Sequence, residues 1–159
     1  MLDVGPVTRK DIPLSTTQAR RMVYLLAFLT FFGLVGGVAS AATCDAQKAL
    51  LYSSLANNFV NGEHTHENGA KASRFAGLAV EMNAACIRAA TSVDEVGAYY
   101  LSTAHNVMIA ATVQEDLGHH DNALHFANMA MKIWREIVAE RAYPASIRQA
   151  AQREIDAAK

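Results

Sequence analysis

Six histidines and two cysteines are the side chains of this 159-residue chain whose types and spacing point to chemistry. His64 and His66 lie two apart in the polar stretch Asn61-Gly62-Glu63-His64-Thr65-His66-Glu67-Asn68-Gly69, and His119-His120 follow Gly118. Imidazoles joined by a carboxylate such as Glu67 or Asp121 would suit zinc, copper or nickel. The same four histidines read more readily as members of solvated loops, where an imidazole needs no partner. Cys44 and Cys86 are the second candidate. No C-x-x-C spacing makes them a redox pair, so they are either a structural disulfide or two small packing residues. Hydrolytic chemistry finds no nucleophile elbow, no H-E-x-x-H and no pair of carboxylates within an apolar helix. Glu115-Asp116 falls at a helix C-terminus, a position that the macrodipole makes unfavourable for negative charge and that solvent can screen. No motif implies a cofactor or an enzyme.

The elements that must carry these side chains are helical. Asp45 is placed to cap a helix over 45–60, with Ala49, Leu50, Tyr52, Leu55 and Phe59 as its apolar set. A loop over 61–69 follows, with glycine at both ends, and then a helix over 70–88. Ser92-Val93-Asp94-Glu95 is a capping box opening a helix over 93–117, on which Tyr100, Ala104, Val107, Ala111 and Leu117 form a stripe at helical spacing. Gly118 ends it, and Asp121 is the expected cap of a helix over 122–140. Pro144 starts a last helix reaching 157, on which Ile147, Ala150 and Ile155 would cover the end of the stack. Trp134, Ile133, Ile137 and Val138 read as core. No stretch alternates as a half-buried strand should. In an antiparallel hairpin Cys44 and Cys86 become neighbours, which favours the disulfide.

Before residue 42 the chain has a different character. Residues 1–22 are polar and are expected to be disordered on the cytoplasmic side. Residues 23–41, VYLLAFLTFFGLVGGVASA, carry no charge and follow Arg20-Arg21. A basic n-region, an apolar run, a Gly36-Gly37 break and Ala39-Ser40-Ala41 make a secretory signal cleaved before Ala42. About 20 apolar residues also suffice for a membrane anchor. Thr43 is too large for the residue before a lipidated Cys44, and the arginine pair lacks the flanks of a twin-arginine signal. Both leading readings put residues 42–159 outside the cytoplasm, in a periplasmic or other extracytoplasmic compartment. That segment holds ten Lys and Arg against thirteen Asp and Glu, with no basic stripe for nucleic acid.

One internal repeat organises the mature segment. Ala, Phe, Ala and Ala recur at 72, 75, 76, 79 and at 123, 126, 127, 130, an offset of about 51 residues. Small residues flanking one Phe suit close helix–helix contact. Leu117-Gly118-His119-His120-Asp121-Asn122-Ala123-Leu124, with Ala127 and Ala130, resembles a tetratricopeptide repeat (TPR). The expected architecture is all-α: two stacked antiparallel helical hairpins, TPR-like, plus a C-terminal capping helix, after an N-terminal signal or anchor helix. The resemblance departs from the pattern at Val107, where a large aromatic is usual, and near Arg135, where a proline is. It implies a concave face that holds a protein or peptide partner. Candidate contacts are Tyr99, Ser102, His105, Asn106 and Gln114 on the long third helix. The leading expectation is therefore an exported adaptor or scaffold. The alternatives are a periplasmic metal-binding protein using the histidine loops, and an accessory subunit of a membrane complex held through residues 23–42. The oligomeric state does not follow from the sequence.

Overall fold

Side-chain caps open the first three helices in the computed structural model, which describes residues 43–158. The n-region, the apolar run 23–41 and the expected cleavage site lie outside the described residues. Helix α1 spans Ala46–Val60; Asp45 Oδ1 accepts the Lys48 N–H at 3.0 Å, and that bond holds the Asp45 carboxyl below its ordinary pKa. Helix α2 spans His66–Ala89 and starts on Thr65, whose Oγ1 accepts the Asn68 N–H at 3.1 Å. Helix α3 spans Val93–Asp116 behind a complete capping box. Ser92 Oγ accepts the Glu95 N–H, and the Glu95 carboxylate accepts the N–H groups of Thr91 and Ser92 in return. These backbone donors, Thr91 first, hold the Glu95 carboxyl below its ordinary pKa.

Gly118, at φ +76°, closes α3. Its N–H donates to the Glu115 carbonyl at 2.9 Å, and the His119 N–H donates to the Gln114 carbonyl at 2.8 Å. This is a Schellman turn, in which glycine takes the left-handed position without the Cβ clash other residues meet. Helix α4 follows over His120–Ala139, and α5 over Ala145–Ala157 after Pro144. No strand occurs among the described residues.

Among the described helices, neighbours along the chain pack together, and α3 alone touches all the others, whereas α2 and α4 do not touch and α1 does not reach α4 or α5. The two halves of the bundle thus share α3. Between α1, α2 and α3 the core gathers Ala56, Ala72, Ala76, Ile109 and Val113, edged by Phe59, Val60, Phe75 and Leu117. The Phe75 ring fills the space beside its small neighbours, with centroids 5.8 Å from Phe59 and 6.1 Å from Tyr52. In the other half the predicted stripe Tyr100, Ala104, Val107 and Ala111 is buried, as are Phe126, Ala130, Trp134 and Ile137 of α4. α5 adds Ala151 and Ile155. Gly97 of α3 lets this end close: a Cβ there would lie 2.9 Å from Tyr143 Cδ1 and 3.2 Å from Ile147 Cδ1.

Several local expectations need correction. The first inter-helix loop is 61–65, because the Thr65 cap starts α2 four residues before Gly69. Gly69 is therefore helical, with Val113 Cγ1 3.6 Å from where its Cβ would be. His119, with no side-chain cap bond, holds the capping position of α4, and Asp121 lies in the first turn. The His119 carbonyl already accepts the Ala123 N–H at 3.0 Å, so the helix starts directly after the Schellman turn. Leu50 is not part of the buried stripe of α1: it is 72% exposed, and Ala56 occupies the core face instead. The repeated alanines also differ, since Ala76 and Ala130 are buried while Ala127 is half-buried.

Candidate functional site

Both histidine loops emerge at one end of the bundle, because α1 and α3 run parallel and end side by side. His64, from the first loop, places Nδ1 3.2 Å from Asp116 Oδ2 at the end of α3. In the second loop His119 Nδ1 lies 3.1 Å from Gln114 Oε1, and His120 Nδ1 lies 3.0 Å from Glu115 Oε1. The Glu115 hydrogen bond and its negative charge raise the His120 pKa above its ordinary value. His66 is exposed in the first turn of α2. Each of these three rings thus turns to a partner of its own. Among the described residues, no three His, Cys, Asp or Glu side chains gather as a metal site would require.

Between the loops lies a cleft of about 260 Å³. Its floor is apolar, formed by Phe59 and Val60 from α1 and by Val113 and Leu117 from the end of α3. Its rim is polar and includes Glu63, His64 and Asp116. The walls are fixed by structure already described: the Thr65 cap, the Schellman turn and the packed Phe59–Phe75 rings. Asn68 Nδ2 also donates to the Glu63 carbonyl at 3.0 Å, pinning the loop across the cleft. Sequence reasoning found the histidines of this rim but missed the floor. Phe59 and Leu117 were legible only as members of separate helical stripes.

The candidate contact residues on α3 do not form one open surface. Tyr99, Ser102, His105 and Gln114 are half-buried. Asn106 is wholly buried, which corrects its expected place on a groove. Its Nδ2 donates to Ser53 Oγ of α1 at 3.0 Å and to the Ser102 carbonyl at 2.8 Å. Ser102 Oγ in turn accepts from Asn83 Nδ2 of α2 at 2.9 Å. These groups make a polar layer joining three helices inside an apolar core. Asn106 Oδ1 and Trp134 Nε1 are buried without a hydrogen-bond partner among the described residues.

The cysteine pair is joined. Cys44 and Cys86 form a disulfide across the opposite end of the hairpin, with Cα atoms 4.4 Å apart. Cys86 is fully buried, and Asp45 N–H donates to Met82 Sδ beside it at 3.3 Å. Among the described residues no helix is long and apolar enough to cross a membrane. Compared with family models, curated proteins and solved structures, the chain matches none.

Proposed function

We propose that this chain is an exported, non-catalytic helical-repeat adaptor, TPR-like in arrangement with α5 as its capping helix, that holds a protein or peptide partner. The observation that carries this reading is the cleft at the loop end. Its volume of about 260 Å³ falls below the roughly 300–1,000 Å³ of drug-sized ligand sites. It is suited instead to one side chain anchored from a larger partner, with apolar contact below and polar contacts around. This moves the expected contact surface from the middle of α3 to its C-terminal end. Tyr99 and His105, half-buried further along α3, remain candidates for a more extended footprint. The disulfide supports an oxidising, extracytoplasmic compartment.

A photo-crosslinking residue placed at position 64, on the cleft rim, tests the reading in the native host. It is expected to give a discrete protein adduct, while the same residue at exposed position 152 on α5 gives none. No adduct from position 64 would overturn the adaptor reading.

A further inference from the structure

We infer that the cleft takes a long cationic side chain, lysine or arginine, presented by the partner; this inference rests on the adaptor reading. Two features of the cleft agree on that chemistry. The first is its shape, an apolar floor under a polar rim. Lysine and arginine carry an apolar stem and a charged head, and they bury the first while keeping the second near water. A purely aliphatic side chain would leave the rim unused, and a short polar one would leave the floor uncovered.

The second feature is charge. Glu63 and Asp116 stand on the rim beside His64 and His66, with Asp116 bound to His64; Glu115, bound to His120, and Asp121 lie just beyond. Lys71, nearby on α2, is already paired with Glu67. Helices α1 and α3 end at the cleft, at Val60 and Asp116, while α2 and α4 begin at His66 and His120 on the same end of the bundle, so the backbone dipoles largely offset one another and the side-chain carboxylates set the sign. Beside those carboxylates an ammonium or guanidinium meets favourable potential, and a carboxylate or phosphate unfavourable potential.

Titration of the full-length, methyl-labelled protein with n-hexylammonium, hexanoate and n-hexanol tests this. The ammonium is expected to shift the Val113 and Leu117 methyl resonances saturably, and neither other probe should do so. Raised ionic strength should weaken the effect. The doubly substituted Glu63→Gln, Asp116→Asn protein should bind the ammonium about fivefold more weakly, as expected for loss of two exposed charge contacts. Both side chains sit at the surface, and an unchanged melting curve would confirm that this variant folds. Equal binding of hexanoate or hexanol would overturn the cationic preference while leaving a competent cleft and the adaptor reading intact. No shift from any probe would overturn the inference, with the adaptor reading judged separately by the crosslink from position 64.

Discussion

His120 and Glu115 show what a single pair at the loop end does. The carboxylate favours the charged imidazole, so the folded pKa lies above the ordinary value of 6.5. A raised folded pKa stabilises the fold fully below the unfolded value, and that contribution is lost as pH rises through the folded one. Nuclear magnetic resonance titration of His120 is expected to give a midpoint above 6.5, falling toward it in Glu115→Gln. Gly118 carries a different kind of residue-scale effect. Nothing lies within 4 Å of a Cβ built there, so Gly118→Ala meets only the backbone cost of φ +76°. Denaturant unfolding should show a loss of about 1–2 kcal/mol. Both the turn glycine and the cysteine pair were legible in the sequence, because each acts through its own local chemistry. The burial of Asn106 was not. Its Nδ2 donates to Ser53 Oγ, far away in the chain, and nothing at positions 102–110 announces that partner.

At the scale of elements, helix starts marked by a side-chain cap were read correctly at Asp45 and Ser92. The start of α2 was misplaced because Gly69 looked like a breaker, whereas Thr65 had already opened the helix and Gly69 only faces Val113. The cleft could not be read at all, since its floor joins α1 to the end of α3 and exists only once the helices pack. The repeat makes a sharper prediction. Ala130 is fully buried and Ala127 half-buried. Ala130→Leu should therefore overpack the α4 contact and cost about 1–3 kcal/mol, with Ala127→Leu costing distinctly less. Thermal melts of the two variants compare them directly; equal effects would mean that α4 does not use this face. Gly97→Ala should likewise lower the melting temperature, because Tyr143 and Ile147 already occupy the space its Cβ needs.

Across the whole molecule, stability passes through α3. Among the described residues, helix α1 touches only α2 and α3, and α5 only α4 and α3, so these outer helices have few neighbours there. The disulfide compensates at one end by closing a 42-residue separation, a constraint on the unfolded chain worth on the order of 4 kcal/mol. Replacing both Cys44 and Cys86 with alanine should lower stability by that order, and hydrogen exchange should show α1 opening ahead of the other helices. The position of the bridge has a mechanical consequence. Cys44 precedes the cap of α1, and Cys86 lies three residues before the end of α2. A pull applied to the chain at residue 43 therefore reaches α2 through a covalent bond, bypassing every hydrogen bond of α1. Tension between residue 43 and any point beyond α2 would leave α1 and all but the last turn of α2 slack together inside the closed loop, and would fall next on the connection to α3. With the sulfurs reduced, the same pull would peel α1 away turn by turn from its N-terminal end.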